Sequence, residues 1–404
     1  MAFVHPFRAV RPKPELAAQI AAVPYDVVNA DEARALAADN PYSFLHVSRA
    51  EIDLPPETNP YADAVYAAAA RQFDTLRRHA MVEEAEPAMY FYRLRMGEHE
   101  QTGLAAVYSV DEYLHDIVKK HEKTRPDKED DRTRHIIELR AQTGPVFLTY
   151  RQQPGIDAIA ARVCAGTPLY DVVAPDGVGH TLWKCDPEAI AALQAAFGAL
   201  PALYIADGHH RAASAMRAHQ RFGLGDTAAE HAWFLAVAFP DDQTQILPYN
   251  RLIKDLHGHT PAQFLDALSA ACPVRDGGPA TPARKGECAM FLDGRWYTID
   301  LKADAHAGDP IKSLDVSLLH DAVLAPLLGV GDERTDKRID FVGGIRGTKE
   351  LEGAVASGRA AVAFSMYPVT VAELMAIADA GSIMPPKSTW FEPKLRDGFL
   401  SHTI

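Results

Sequence analysis

The sequence has 404 residues, 48% of them apolar and 24% charged, and these fractions exclude a disordered or fibrous protein. Its 41 Lys and Arg residues against 54 Asp and Glu residues give a net charge of −13. This balance argues against binding to duplex nucleic acid, because that polyanion requires a basic face. The length predicts two or three domains, or one large core with an appendage, in either case without need of disulfides.

The N-terminal segment, residues 1–110, is predicted to mix short elements. A turn at Pro24–Val28 leads into a short extended piece, and a second extended stretch is expected at Tyr42–Val47. An Ala-rich periodicity predicts a helix over residues 61–79. The segments Tyr90–Leu94 and Leu104–Val110 are predicted to pair as strands.

The middle segment, residues 111–256, has clearer boundaries. A charged helix is predicted from Asp127 to Gln142, and Gly144 followed by Pro145 ends it. Further strands and helices follow along this segment: strands at Val146–Tyr150, Leu169–Val173, Thr181–Cys185 and Ala202–Ala206, helices at Ile156–Val163, Pro187–Phe197 and Ala212–Arg221, and a hairpin of Trp233–Phe239 with Gln245–Leu252.

The C-terminal segment, residues 257–404, follows a boundary that we place near Leu256–Pro261. A hairpin is predicted around Asp293-Gly294. The predicted elements are strands at Cys288–Phe291 and Trp296–Leu301, and helices at Pro261–Ala271, Leu314–Leu328, Thr348–Ala356 and Val371–Ala380.

The four cysteines and the absence of targeting patterns indicate the cellular compartment in which the protein is expected. Cys164, Cys185, Cys272 and Cys288 form no Cys-x-x-Cys pair, so a structural zinc site is not expected. The sequence shows no secretory signal and no run of about 20 apolar residues, which a membrane-spanning helix requires. We therefore expect reduced thiols, no membrane partner and a cytoplasmic location.

The strongest local signal is a strand that runs directly into Asp207-Gly208-His209-His210-Arg211 and then into an Ala-rich helix. The first N–H groups of a helix lack intrahelical partners, and its dipole favours anions there. Gly208 permits a tight turn, Arg211 suits phosphate oxygens, and His209 and His210 can donate hydrogen bonds or transfer protons. Asp207 is a candidate ligand for a divalent cation. The alternative is a capped helix whose histidines serve packing.

A second candidate is Glu122, within His121-Glu122-Lys123-Thr124. A carboxylate beside basic residues near a strand end can act as a general base toward an alcohol. The run from Lys119 to Asp131 is mostly charged, however, so an ordinary solvated face is the competing interpretation.

Two C-terminal motifs, residues 334–347 and residues 384–394, carry no assignable role. Gly343-Gly344 lacks the spacing of a dinucleotide-binding fingerprint. The second motif is best interpreted as a Pro-bounded loop that packs Trp390 and Phe391. Cys185 and Ser214 have no visible base beside them and are interpreted as core or helix residues.

Along nearly its whole length, the sequence resembles the DUF1015 proteins. The resemblance is carried by Pro24–Val28, Lys120–Thr124, Gly144–Leu148, Ile205–Arg211, Arg334–Gly347 and Met384–Lys394. The central segment resembles the ParB/sulfiredoxin-like fold of the free-serine kinases, which carry an Asp-Gly-His-His-Arg phosphate loop and an upstream catalytic Glu. The resemblance therefore implies an α+β protein with a ParB/sulfiredoxin-like mixed core and additional N- and C-terminal α/β segments.

The same resemblance implies the site. Asp207, Gly208, His209, His210 and Arg211 match the loop that holds nucleotide phosphates, with Asp207 as an Mg²⁺ ligand. Glu122 matches the catalytic carboxylate, and an insertion between Gln152 and Pro201 would accommodate the long interval to Asp207. His209, which can take part in proton transfer, is a second candidate catalytic residue on its own chemistry.

The implied function is a kinase that phosphorylates free L-serine to O-phospho-L-serine with ATP or ADP and Mg²⁺. The acceptor carboxylate requires a cation, for which Arg49, Lys123 and Lys387 are unranked candidates. The partners are then small molecules only, and the sequence does not indicate an oligomeric state. A ParB-like regulator that binds or hydrolyses nucleotides is the alternative, and a sugar- or amino-acid-binding scaffold without turnover is a third possibility.

Overall fold

The structure is a computed structural model that describes residues 2–223, 225–301, 306 and 308–404. Its strands are β1 Val4–His5, β2 Ala9–Pro12, β3 Met81–Glu83, β4 Tyr90–Met96, β5 His99–Ser109, β6 Val118–Lys119, β7 Ala141–Gln142, β8 Val146–Tyr150, β9 Tyr170–Val173, β10 Gly179–Lys184, β11 Leu203–Asp207, β12 Trp233–Pro240, β13 Ile246–Leu247, β14 Tyr249–Ile253, β15 Val274–Asp276, β16 Glu287–Leu292, β17 Arg295–Asp300, β18 Ile339–Gly343, β19 Val362–Met366, β20 Trp390–Phe391 and β21 Ser401–Thr403.

The helices lie between these strands. They are α1 Ala17–Ile20, α2 Ala30–Ala37, α3 Leu45–Ser48, α4 Asp63–His79, α5 Val110–Leu114, α6 Pro126–Leu139, α7 Pro154–Cys164, α8 Pro187–Gly198, α9 His209–Phe222, α10 Pro261–Ala271, α11 Asp315–Leu319, α12 Gly347–Ala356 and α13 Val371–Asp379. Helix starts follow local chemistry: Asp186 caps α8 through the Ala189 N–H, and Pro187 occupies its first turn. Within the described residues, no helix combines the length and apolar character needed to cross a membrane.

The chain divides into two compact units. The first unit comprises the chain up to Thr244 together with Pro393–Ile404, and the second unit is Gln245–Glu392. Both contain helices and sheets, so the predicted mixed α/β character is confirmed. These bounds differ from the three predicted segments, because β5 of the first segment pairs with β12 of the second in one sheet.

A 9-stranded mixed sheet forms the centre of the first unit. Its order is β6-β11-β8-β12-β5-β4-β10-β9, with β1 alongside β5. β11 runs parallel to β6 and antiparallel to β8. The carboxyl end of β11 therefore lies beside the residues that follow β6 and the residues that precede β8.

Two apolar clusters stabilise the first unit. Alternate residues of the central strands pack with α8 and α9, and the small buried Ala212, Ala213, Ala215 and Ala218 of α9 permit close packing. The second cluster joins the N-terminal helices, including Phe44 and Phe73. A 4-stranded sheet of order β3-β2-β21-β7 brings the last residues of the chain between N-terminal and middle strands.

The second unit contains a 6-stranded sheet of order β15-β17-β16-β19-β14-β18, and all of its pairings are antiparallel. The predicted hairpin around Asp293-Gly294 is confirmed as β16 and β17. A separate pair, β13 with β20, holds Trp390 and Phe391.

Two predicted elements are wrong. Tyr42–Val47 is not extended, because Asn40 closes a turn that leads into α3: its carbonyl accepts from the Ser43 N–H and its side-chain oxygen from the Tyr42 N–H. Trp233–Phe239 does not form a hairpin with Gln245–Leu252. Both edges of β12 are occupied, by β5 and β8, while β14 lies between β18 and β19.

Candidate functional site

The predicted strand–turn–helix junction is present at β11 and α9. Gly208, at φ +93°, lies between the buried strand and the first helical residue, His209. This φ favours glycine, and a Cβ at this position would lie only 3.0 Å from Arg211 Nε, so a larger residue would also displace that side chain. The helix starts immediately after the turn, and its first N–H groups therefore have no intrahelical acceptors.

One flank of the junction, which we call the histidine side, consists of His121, Glu122 and His209. The two imidazole rings meet edge to face with centroids 4.5 Å apart. The His121 backbone N–H donates to His209 Nε2 over 3.4 Å, and His209 Nδ1 lies 4.0 Å from Glu122 Oε2. The Glu122 side chain is 44% exposed, so a solvated carboxylate lies beside the start of a helix.

Burial keeps both histidines of this side neutral. It lowers the pKa of His121 to about 4, and it lowers the pKa of His209 well below its ordinary value, with the neighbouring His121 adding to the effect. Because His209 Nε2 accepts a hydrogen bond, its proton is assigned to Nδ1, which faces Glu122. His209 can therefore donate a hydrogen bond, but it carries no positive charge near neutral pH.

The other flank, which we call the arginine side, consists of Gly144, Pro145, Arg211 and Asp397. The Arg211 side chain is only 8% exposed; one NH group donates to the Pro145 carbonyl and the other to Asp207 Oδ2 over 3.4 Å. A Cβ on Gly144 would lie 2.7 Å from Asp397 Oδ1, so the chain passes this carboxyl in close contact. The buried guanidinium therefore links Pro145, which precedes β8, to Asp207 at the end of β11.

A cavity of about 40 Å³ adjoins the arginine side. Its lining includes Tyr25, Arg132, Arg211 and Asp397. Burial raises the pKa of Asp397 to about 7, Arg211 partly opposes this shift, and the nearby Asp26 adds to it. Charged side chains therefore border this cavity, and the protonation of Asp397 changes near neutral pH.

Asp207 is held in an ion-pair network between the two sides. Its carboxylate accepts from Lys394 Nζ at 3.2 Å, from Arg211, and from the Gly208 N–H at 3.0 Å. Burial alone would raise its pKa, but the charges of Lys394 and Arg211 outweigh burial and hold the pKa well below the ordinary value. Two cations already neutralise this carboxylate, so Asp207 does not fit the predicted role of Mg²⁺ ligand.

His210 links the junction to the start of α6. Its Nε2 accepts from the Arg125 backbone N–H at 3.0 Å, and burial lowers the pKa of His210.

The structure brings together the junction residues 207–211 and Glu122, as the sequence predicts. Their roles in binding and catalysis stay predictions.

Several residues near the junction were missed by the sequence analysis. Lys394 belongs to a motif that was interpreted as packing, and Asp397 lies three residues beyond it. Asp26 and Tyr25 belong to the string Pro24–Val28, and the only signal for them was that this string is shared with the same family. His121 stands next to Glu122 and was not assigned a role.

The second unit contains the motif at residues 334–347 and residues 384–392 of the other motif. Phe391 is buried, and a Cβ on Gly343 would lie 2.7 Å from the Trp390 ring, so the predicted packing of this loop is confirmed. Lys387 Nζ lies 5.2 Å from the centre of the Tyr249 ring. Cys185 and Ser214 are buried, as predicted: burial raises the pKa of the Cys185 thiol to about 12, and Ser214 Oγ donates to the Glu129 carbonyl.

Three solved structures are similar to this chain at low sequence identity. A free serine kinase variant in complex with ADP has 14% identity and a TM-score of 0.37, covering 72% of this chain and 92% of its own. SbnI with a C-terminal truncation, from Staphylococcus aureus, has 12% identity and a TM-score of 0.39, with coverages of 72% and 84%. A conserved hypothetical protein from Pyrococcus furiosus has 16% identity and a TM-score of 0.34, with coverages of 72% and 93%. At these scores the similarities carry no argument about activity.

One protein-family model matches most of the sequence. No curated protein matches the sequence significantly. The family model described as a protein of unknown function, DUF1015, matches residues 4–317. That match spans most of the chain, including Glu122 and the whole β11–α9 junction, and it shows that the chain belongs to the DUF1015 family.

Proposed function

We propose that this protein transfers a phosphoryl group from ATP or ADP to the hydroxyl of free L-serine. One observation carries the proposal: an exposed carboxylate, Glu122, lies 4.0 Å from the residue that starts a helix behind a glycine turn. Such a helix start binds anions, and a neighbouring carboxylate can accept the proton of an attacking alcohol. Phosphoryl transfer to an alcohol needs these two functions side by side.

In this proposal the α9 N-terminus holds the nucleotide phosphates. The backbone N–H groups of His209, His210 and Arg211 supply donors without intrahelical partners. His209 donates from Nδ1, while the buried Arg211 fixes the turn from behind. Positioning and electrostatic stabilisation then supply most of the rate.

Glu122 is the proposed general base. As serine attacks, its hydroxyl proton passes to a Glu122 oxygen, and the O–P bond forms while the bond to the nucleotide leaving oxygen breaks. The exposed position of the side chain permits contact with a bound acceptor. Mg²⁺, which nucleotide phosphates usually bring with them, would offset the negative charge of the phosphates. Asp207 is already paired with two cations, so it is not assigned as a ligand of this ion. None of the steps above depends on the ion.

The cation for the serine carboxylate stays unassigned. Arg49 lies 3.0 Å from Glu51, which already offsets part of its charge. Lys123 lies next to the proposed base, and Lys387 belongs to the second unit. The ParB-like nature of the core is likewise part of the proposal.

The deciding experiment is product analysis. The purified protein is incubated with Mg²⁺, L-serine and either ATP or ADP, and phosphoserine is measured by mass spectrometry. We expect phosphoserine from the wild type, a large loss with Glu122→Gln, and wild-type turnover with Glu138→Gln. Glu138 makes a matched control because it is a half-exposed glutamate on α6, paired only loosely with Arg134 at 4.0 Å.

Two outcomes would contradict the proposal. Nucleotide hydrolysis that does not depend on serine would favour the nucleotide-binding regulator. No nucleotide binding at all would favour a scaffold without turnover.

A further inference from the structure

The histidine side has the composition of a transition-metal site. His121, Glu122 and His209 each offer one ligand atom, and these atoms lie within 4.8 Å of one another. Two imidazoles and one carboxylate form a donor set that suits Zn²⁺, Co²⁺ and similar ions better than Mg²⁺, which prefers oxygen ligands. The histidines come from different elements: His121 follows β6, and His209 begins α9.

A second observation points to a ligand. His121 Nδ1 is buried and has no hydrogen-bond partner within the described part of the chain. A hydrogen bond with the backbone of Ile205 partly opposes the lowering of the His121 pKa, and Nδ1 is the ring nitrogen left without a partner. A metal-binding histidine typically has this arrangement, with one nitrogen held by a carbonyl and the other presenting a lone pair. An orphaned buried polar atom otherwise costs free energy.

The three ligand atoms must come closer together to bind one ion. Ligand atoms around a tetrahedral Zn²⁺ lie about 3.3 Å apart for bonds of about 2.0–2.1 Å. The distance from His209 Nδ1 to Glu122 Oε2 is 4.0 Å, and the half-exposed Glu122 side chain can close this gap. Metal binding at Nδ1 moves the His209 proton to Nε2, which sacrifices only the long 3.4 Å contact with the His121 N–H.

We propose that His121, Glu122 and His209 bind one transition-metal ion of the Zn²⁺ or Co²⁺ class. The three protein ligands leave a fourth position for water. The inference rests on the proposed function in two respects. A metal on Glu122 occupies the carboxylate that would accept the serine proton, and a metal on His209 Nδ1 occupies the atom that would donate to phosphate. The ion therefore inhibits turnover rather than supporting it.

Direct binding to the full chain tests the site without any substrate. Zn²⁺ is titrated against a chromophoric chelator, and Co²⁺ is followed by its visible absorption bands. We expect one ion per chain, with no displacement by millimolar Mg²⁺. Glu122→Gln and His121→Ala should each weaken binding by about tenfold or more, and His115→Ala should not. His115 makes a suitable control because it is an exposed histidine near Asp111.

The metal site and the kinase activity can be rejected independently of each other. If His121→Ala does not fold, Glu122→Gln decides the test alone, because its side chain is exposed. Absence of stoichiometric binding, or wild-type affinity in Glu122→Gln, would overturn the metal site and leave the kinase assay unaffected. Metal binding in a protein that makes no phosphoserine would sustain the site and reject the kinase. In an active protein, Zn²⁺ should inhibit and a chelator should restore turnover; activation by Zn²⁺ would overturn the inhibitory role.

Discussion

The two sides of the β11–α9 junction differ in whether their charged groups are buried or reach solvent. On the arginine side, Arg211 is buried with its charge matched by Asp207, and Asp397 lies close by. On the histidine side, the imidazoles are neutral and the charged member, Glu122, reaches solvent. Removing a buried, paired charge is costly, whereas removing an exposed one is not. One turn of the chain therefore separates a flank whose charges are buried and paired from a flank whose charged group is open to solvent.

The largest effect is expected from Arg211→Ala. The substitution leaves Asp207 with a single cationic partner and empties the space behind Gly208. Loss of one partner of a buried ion pair costs about 3–5 kcal/mol, so the free energy of unfolding should fall by that amount in urea denaturation. A variant with wild-type stability that had lost only nucleotide affinity would instead place Arg211 among the direct phosphate ligands.

Glu122→Gln should produce the reverse pattern. We expect kcat for phosphoserine formation to fall by about 10²–10⁴-fold, because the amide cannot accept the proton. The free energy of unfolding should stay within about 0.5 kcal/mol of the wild type, because the Glu122 side chain is half-exposed. Steady-state kinetics and denaturation on the same preparation would measure both, and a large loss of stability would show that Glu122 is structural.

Asp397→Asn tests the arginine side through pH. The pKa of Asp397 in the folded protein, about 7, is above its ordinary value of 3.8, so the native state keeps a proton that the unfolded chain releases. The contribution of this group to stability is therefore complete at low pH and is lost as the pH rises from about 4 to 7, with a slope of at most about 1.4 kcal/mol per pH unit.

Denaturation across this pH range should show that the free energy of unfolding of the wild type falls relative to that of Asp397→Asn as the pH rises. The other titrating groups are shared, so the difference between the two profiles isolates Asp397. Parallel profiles would mean that Asp397 is already ionised throughout.

The smallest effect is expected from Arg125→Ala. Arg125 pairs with Asp127 at 2.9 Å, but their side chains are 70% and 47% exposed. The change in the free energy of unfolding should be below about 0.5 kcal/mol, because such pairs are screened by solvent. The backbone N–H that His210 accepts is retained, so a loss greater than this would show that the side chain itself supports the junction.

The junction was predictable because its signals are local. The strand, the glycine turn and the Ala-rich helix occupy consecutive residues, and the structure places α9 at His209–Phe222 against the predicted Ala212–Arg221. The error at Tyr42–Val47 arose because Asn40 hydrogen-bonds to its own turn, which apolar patterning does not reveal.

Long-range partners were not predictable in the same way. Lys394 and Asp207 are separated by 187 positions, and no periodicity connects them. The false pairing of β12 with residues 245–252 had the same origin: adjacency in the sequence suggested a hairpin, while β5 and β8 already held both edges of β12. The shared family strings were the only clue to Tyr25, Asp26 and Lys394, and Asp397 lies outside all of them. Such strings do not show which residues are in contact.

The discontinuous first unit affects how the protein can fold during synthesis. Lys394, Asp397 and β21 lie beyond the second unit in the chain, yet they complete the first unit. While a ribosome is still making Gln245–Glu392, Asp207 has no lysine partner and β2 and β7 lack the strand between them. The nascent first unit therefore cannot complete this sheet until residues 393–404 have been synthesised.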